Sequence, residues 1–198
     1  MARKETTFIA EVGRDKGKQF LITEMSASQA EAWAIKVILA VGNAGIEISE
    51  DQAAQGMSGL MAVGYMGLLK IPFEAAKPLL DEMMTCVQFN PSSNIKRPLI
   101  EDDIEEVKTR LALRKAIWNL HMDFFFRRKR IDFGIRNASS STVKFIEYQA
   151  TPQTLATVIS ARLATLHELD TVYGVEDLWK LLEIHAVDRH NAYLASKK

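Results

Sequence analysis

Histidines are the residues of this chain best suited to bind a metal or to transfer protons near neutral pH. The sequence holds four of them: His121, His167, His185 and His190. His185 and His190 are five residues apart on the predicted last helix, so their side chains point to different sides. Glu183 and His190 share a side, but two helical turns separate them by about 10 Å. Because neither pair forms a compact site, we expect no metal and no cofactor.

The remaining candidate nucleophiles are a single cysteine and a run of serines. Cys86 lies between Met83-Met84 and Val87, an apolar context that favours a buried thiol over a catalytic one. One cysteine forms no intramolecular disulfide, which is typical of a reducing compartment. The run Ser139–Ser141 has no base nearby and is interpreted as loop. The sequence therefore predicts a protein that is not an enzyme.

A basic run, Arg127–Arg130, follows three phenylalanines and has the residue types that bind phosphates and stack on bases. The whole chain is neutral, however, with 25 Lys and Arg against 25 Asp and Glu. An acidic run, Glu101–Glu106, stands at the other end of the same predicted helix. Acidic residues first and basic residues last suit the helix dipole. We favour this explanation, so nucleic acid is not an expected partner.

No segment has the length and apolarity expected of a membrane span or a secretory signal. The most apolar region, 56–69, contains four glycines and is shorter than the roughly 20 residues that cross a bilayer. The N-terminal residues lack the apolar region of a signal peptide. We therefore expect a soluble, intracellular protein without a membrane partner.

The hydrophobic pattern predicts a β-hairpin at the start of the chain. Thr7–Val12 and Lys18–Thr23 are short, apolar-rich runs, and the polar turn Gly13–Gly17 joins them. A helix is predicted to follow, because Ser26 and Gln29 fit a capping box. Ser28 and Glu31 offer the same box two residues later. Further helices are predicted from Ser49, from Pro72, over Leu99–Phe126, from Pro152 and from Val175, with Phe89–Ile95 as a surface loop.

The helix over Leu99–Phe126 carries apolar residues on two faces, whereas a surface helix needs only one. The first face comprises Ile104, Val107, Leu111, Trp118, Met122 and Phe125. The second face comprises Leu113, Ile117, Leu120 and Phe124. We hypothesise that one face joins the core and that the second face, Leu113 to Phe124, helps to form a protein-binding surface.

These elements predict a mainly α fold with an N-terminal β-hairpin followed by a helical domain. Residues 1–126 form that domain, and residues 127–198 form a linker with a small helical C-terminal appendage. The division rests on a change in composition after Phe126, where residues 131–143 become polar and rich in serine. Within the appendage, Lys144–Tyr148 is predicted to form a short strand.

The N-terminal stretch GRDKGKQFLITEMSASQAEAWA resembles the opening of the tail assembly chaperones of long-tailed bacteriophages. In that family a hairpin with the pattern GRD-GK-F-ITEM leads into a helix that begins with the pattern A-QAE-WA. A second block, RPLIEDDIEEVKTRLALR from Arg97, resembles the last helix of the family, and NLHMDF from Asn119 resembles its end. The resemblance covers about the first two thirds of the chain.

The resemblance implies a non-enzymatic chaperone that binds the tape measure protein and helps to recruit the major tail tube protein during tail assembly. The resemblance also allows a second copy of this chain as a partner. The expected location is the host cell cytoplasm, and the protein is not expected in the mature virion. A structural tail completion or connector protein, retained in the virion, is the alternative from another class.

Longer members of this family arise by a programmed ribosomal frameshift near the end of the first reading frame. In this chain the resemblance stops near Phe124–Phe126, and phenylalanine codons can form the slippery run that a frameshift needs. Residues 127–198 accordingly resemble a frameshifted extension. A fused or naturally long single frame is the other explanation.

Overall fold

The computed structural model describes residues 3–49, 55–92, 95–128, 148 and 150–197. Its strands are β1 (Glu5–Ile9), β2 (Gln19–Thr23), β3 (Val87–Ser92) and β4 (Ile95–Pro98). Its helices are α1 (Ala27–Asn43), α2 (Met57–Val63), α3 (Tyr65–Leu68), α4 (Phe73–Met84), α5 (Val107–Arg127), α6 (Gln153–Ser160), α7 (Leu166–Thr171) and α8 (Val175–Ser196), with a 3₁₀ turn at Glu101–Asp103. The predicted class, mainly α with an N-terminal β region, is confirmed.

The predicted hairpin is present and belongs to a larger sheet. β1 and β2 pair antiparallel, from Glu5 opposite Thr23 to Ile9 opposite Gln19. Beyond the hairpin, β3 pairs with β2 and β4 pairs with β3, so the sheet order is β1-β2-β3-β4. The prediction of a loop over Phe89–Ile95 was therefore wrong. The sheet forms there because Phe89 faces Phe20 across the strands, with their ring centroids 5.4 Å apart.

Helix α1 begins where its capping serine predicts. The Ser26 hydroxyl accepts a hydrogen bond from the backbone N–H of Gln29 at 3.3 Å, which is the serine half of the predicted box. Its apolar face is buried, and the indole of Trp33 donates to the carbonyl of Leu79 on α4 at 3.1 Å. Glu31 does not cap the helix, because its side chain is buried further along α1.

The helix predicted from Ser49 is two short helices in the part of this region that is described. Gly64, at φ +74°, separates α2 from α3, because this backbone conformation ends a right-handed helix. Gly56, at φ +52°, precedes α2 at a close approach, since a Cβ there would collide with the Glu31 carboxylate. Close packing therefore requires glycine at position 56.

The helix predicted over Leu99–Phe126 begins eight residues later than expected, at Val107. Residues before it are held in turns by their own side chains. The Asp103 carboxylate accepts from the Arg97 guanidinium and from the Ile100 N–H, the latter at 2.9 Å. The acidic run therefore holds the approach to α5 rather than its first turn. α4, in contrast, follows Pro72 as predicted and continues through Pro78.

The C-terminal helices pack against α1. Their small hydrophobic cluster includes Ala27 of α1 and consists of Ala27, Leu155, Val158, Ala164, Leu169 and Leu178. The Thr165 hydroxyl and the Glu168 side chain form a capping box for α7, which separates it from α6 where a single helix was predicted. The predicted linker at 131–143 lies outside the described residues, as does the predicted strand at Lys144–Tyr148 apart from its last residue.

The larger core fills the space between the sheet and helices α1, α2, α4 and α5. Phe20, Ile22 and Val87 close it from the sheet side, each with at most 2% of the residue exposed. From the helices it receives Trp33 of α1 and Trp118 of α5, whose rings meet edge to face. The position and rotation of α5 therefore decide which of its apolar residues lie in this core.

Candidate protein-binding surface

The turn between β1 and β2 fixes the beginning of α5. Asp15 is fully buried, and its carboxylate accepts from the backbone N–H groups of Glu105 at 3.0 Å and Glu106 at 3.1 Å. The Lys18 ammonium donates to Asp15 at 2.8 Å and to the carbonyl of Asp103 at 3.1 Å. In return, the Glu106 carboxylate accepts from the N–H of Arg14 at 2.8 Å. The polar turn thus supplies the hydrogen-bond partners that this helix start lacks.

The charges at this junction reinforce one another. Burial alone would raise the pKa of Asp15. Hydrogen bonds from Lys18 and from the Glu105 N–H outweigh this effect and lower the pKa to about 2. The hydrogen bond to Asp15 raises the pKa of Lys18, with Glu105 adding to the effect. Both groups are therefore charged at neutral pH, and the turn is locked to α5 electrostatically.

A buried histidine fixes the rotation of α5 at its middle. His121 Nε2 accepts from the backbone N–H of Met25 at 2.8 Å, and Nδ1 lies 2.8 Å from the carbonyl of Ile117. Because Nε2 accepts, Nδ1 carries the proton and donates to Ile117. Burial lowers the pKa of His121 to about 4, so the ring is neutral. His121 is a structural residue in this fold and is buried, with 5% of the residue exposed.

The four residues predicted to bind a partner lie in the interior. Leu113, Ile117 and Phe124 are 0%, 1% and 5% exposed, and Leu120 is half-buried against the core. In this conformation the second face of α5 is covered by the chain itself. The prediction therefore inverted the two faces over the first half of the helix.

The exposed apolar residues of α5 are Val107 and Leu111, which are 75% and 48% exposed. Both belong to the face that was assigned to the core. Trp118 lies on this face two turns after Leu111, and Tyr65 of α3 packs edge-on against it at 5.5 Å. The first half of the face is therefore open, and α3 covers the face only from Trp118 onward.

A second exposed apolar group lies in the segment that runs from α3 to the first residue of α4. Met66, Leu69 and Phe73 are 67%, 62% and 69% exposed within eight residues of sequence. α4 packs against α5, and Tyr65 joins α3 to it. We define the α3–α5 apolar surface as Met66, Leu69, Phe73, Val107 and Leu111. Such exposure of large apolar side chains is characteristic of interaction surfaces.

One sequence signal would have identified the open face. Residues 113, 117, 120 and 124 follow a helical spacing without interruption. The other stripe has Arg114 and Lys115 between Leu111 and Trp118, where a core stripe needs an apolar residue. Methionines do not identify the open surface, because Met57, Met83 and Met122 are buried and Met66 is exposed.

A buried carboxylate joins α1 to the C-terminal helices. Glu31 is fully buried, and its Oε2 accepts from the Thr154 hydroxyl of α6 at 3.1 Å. Its Oε1 and the indole Nε1 of Trp179 are buried without a partner in the described part of the chain. Burial raises the pKa of Glu31 to about 7, against the opposing influence of the hydrogen bond from Thr154. Docking of α6 and α8 on α1 therefore includes a carboxyl that takes up a proton near neutral pH.

The described residues offer little reactive chemistry. Cys86 is buried, and burial raises the pKa of its thiol to about 12, so it is a poor nucleophile. Across residues 3–49, 55–92, 95–128 and 150–197, no group of three or more His, Cys, Asp or Glu side chains is placed to hold a metal ion. None of the described helices is long and apolar enough to span a membrane.

Comparison of the chain with protein-family models, with curated proteins and with solved structures found no match.

Proposed function

We propose that this chain is a tail assembly chaperone of a long-tailed bacteriophage, which binds apolar helical segments of the tape measure protein. The observation that carries the proposal is the α3–α5 apolar surface, which leaves five large side chains in water. The likeness of GRDKGKQFLITEMSASQAEAWA to that family supports it independently. The chaperone works in the host cytoplasm, is not an enzyme, and leaves before the virion is complete.

The chemistry of the surface suits a helical partner. A helix that presents apolar residues at spacings of three and four places them along one stripe, and it binds by laying that stripe on exposed apolar side chains. Val107 and Leu111 are one turn apart on α5 and offer such a stripe. Met66 adds an unbranched, polarizable side chain that adapts to different partner residues. This adaptability fits a partner with many similar apolar helices.

We assign recruitment of the major tail tube protein to the part of α8 from Ile184 onward. This helix has 22 residues, yet its buried residues, Val175 and Leu178, both lie in its first turn. Further along, Ile184, Tyr193 and Leu194 are 49%, 53% and 49% exposed. The end of α8 therefore carries apolar side chains that the described part of the chain does not cover. It belongs to the segment, 127–198, that resembles the family's extension.

Co-expression with the tape measure protein of the same phage tests the proposal. We expect the tape measure protein to pellet when expressed alone and to stay soluble, in a complex with this chain, when both are made. Serine at Met66, Leu69 and Phe73 together is expected to reduce the soluble complex, because it removes three of the five apolar side chains of the surface. A tape measure protein that pellets equally in both cases would refute the proposal. Mass spectrometry of purified virions separates a chaperone, which is absent, from a connector protein, which is present.

A further inference from the structure

The two edges of the sheet are built differently. At the β4 edge, Pro98 ends the strand, Lys96 and Arg97 add charge, and the pairing with β3 is irregular between Phe89 and Ser92. Prolines, bulges and charged residues of this kind are how natural sheets block further strand pairing. β1 has no proline and no bulge, since its five residues are Glu-Thr-Thr-Phe-Ile in regular pairing with β2, and its one charged residue, Glu5, stands at its first position. One edge is closed and the other is open.

The backbone hydrogen bonds show which groups of β1 are open. The Lys4 carbonyl accepts from the Glu24 N–H at 2.9 Å, and the Ala10 N–H donates to the Lys18 carbonyl at 3.0 Å. The backbone N–H and C=O groups of the even-numbered residues of β1 therefore point toward β2. Those of Glu5, Thr7 and Ile9 point away from it. No described residue pairs with this outer edge. Glu5 and Thr7 are exposed, and Ile9 is 51% exposed.

We propose that a second copy of this chain pairs with β1 at this edge, antiparallel to it, around a twofold axis at Thr7. This register gives the greatest overlap of the strand with its own copy. It places Glu5 opposite Ile9 and Thr7 opposite Thr7, and each such pair can exchange two backbone hydrogen bonds. The result is one continuous sheet across two copies, independent of the function proposed above.

Charge complementarity favours a second copy over an unrelated strand. In the register centred on Thr7, Arg3 of one copy lies opposite Glu11 of the other, and the twofold axis repeats this pair. Both residues flank β1, and Glu11 is exposed. On the core-facing side, the half-buried Phe8 gains Thr6 of the second copy as a neighbour, extending the aromatic row in which Phe8 lies 6.3 Å from Phe20. Cross-strand pairs of these kinds stabilise sheets.

Sedimentation velocity on the full chain at increasing concentration, with Thr7→Pro and Thr7→Val as a matched pair, tests the proposal. We expect the wild type and Thr7→Val to dimerise, and Thr7→Pro to dimerise at least tenfold more weakly. Proline removes an N–H that points away from β2, so the circular dichroism spectrum is expected to remain that of the wild type. A wild type that stays monomeric at high concentration, or a folded Thr7→Pro variant that dimerises as well as Thr7→Val, would overturn the proposal.

Two further measurements keep the test decisive if the proline variant fails to fold. Arg3→Glu and Glu11→Arg are each expected to weaken the dimer, and the double exchange to restore it, because the two residues face each other between copies. Hydrogen exchange of the Thr7 and Ile9 amides is expected to slow as the protein concentration rises. Protection that is independent of concentration would instead show that the edge is filled within one chain, and it would refute the dimer.

Discussion

The junction between the Gly13–Gly17 turn and α5 makes a stability prediction that depends on one carboxylate. Asp15→Ala leaves the Glu105 and Glu106 N–H groups without their acceptor and removes one of the three acceptors of the Lys18 ammonium. Loss of a helix cap costs about 1 kcal/mol, and each buried donor left unsatisfied costs about 1–3 kcal/mol. We expect a total loss of about 3 kcal/mol. For a chain of this size that lowers the melting temperature by roughly 6–12 °C.

Urea unfolding of the wild type, Asp15→Ala and the control Asp102→Asn measures this loss. Asp102 lies in the exposed part of the acidic run, so its variant is expected to stay within about 0.5 kcal/mol of the wild type. An Asp15→Ala variant as stable as the control would refute the capping role of the turn. The beginning of α5 at Val107 would then need another physical cause.

The pH dependence provides an independent check of the same carboxylate. The pKa of Asp15 is about 2 in the folded chain against an ordinary 3.8, so its charge stabilises the fold above pH 3.8. That contribution, about 2 kcal/mol, is lost as the pH falls through 2. The difference in unfolding free energy between the wild type and Asp15→Asn should therefore be constant above pH 5 and shrink below pH 4. A difference that is unchanged down to pH 2 would contradict the assignment.

Three other substitutions have defined outcomes. The pKa of Glu31 is raised from 4.5 to about 7, so its contribution to the free energy of unfolding is present below pH 4.5 and lost as the pH rises through 7. Glu31→Gln should remove this pH-dependent loss of stability, and thermal unfolding between pH 4 and 8 measures it. The pKa of His121 is lowered from 6.5 to about 4, so the wild type should lose stability as the pH falls from 6.5 to 4. His121→Phe should lack this decline. It should also be less stable at pH 7, because the Met25 N–H loses its acceptor. Leu113→Ala should cost about 2–5 kcal/mol in urea unfolding, because Leu113 is fully buried; a cost below about 1 kcal/mol would place that face of α5 outside the core.

Local signals located the elements that are specified by neighbouring residues. Ser26 predicts the beginning of α1, and the glycine-bounded turn predicts the β1–β2 hairpin, because capping and turn formation depend on a few adjacent residues. The helix from Val175 was predicted from the helical spacing of its apolar residues, which is also a local signal. Each of these features would be recognisable in an isolated segment of the chain.

Features that depend on distant contacts were not predicted. β3 and β4 form because β2 provides an edge for Val87–Ser92. The residues adjacent to this segment in sequence do not predict that pairing. The late beginning of α5 depends on Asp15, 90 residues away from Glu105 in sequence. The acidic run was interpreted through the helix dipole, whereas its Asp103 pairs with Arg97.

The face of α5 that lies in the core was mistaken because two apolar stripes compete on one helix. Both stripes recur at helical spacing, and which of them enters the core depends on which one meets Trp33 and the sheet. Arg114 and Lys115, which interrupt the stripe of Leu111 and Trp118, were the residues that separated the alternatives.

The central claim is that the α3–α5 apolar surface binds a helical partner, and one matched comparison tests it most directly. Leu111→Ser and Leu39→Ser each replace an exposed leucine, 48% and 57% exposed, on α5 and on α1. Each variant is co-expressed with the tape measure protein, and the soluble complex is quantified by pull-down. We expect Leu111→Ser to lower the amount of complex severalfold and Leu39→Ser to leave it unchanged, with both variants folded. Equal recovery of the complex with both variants would contradict the claim.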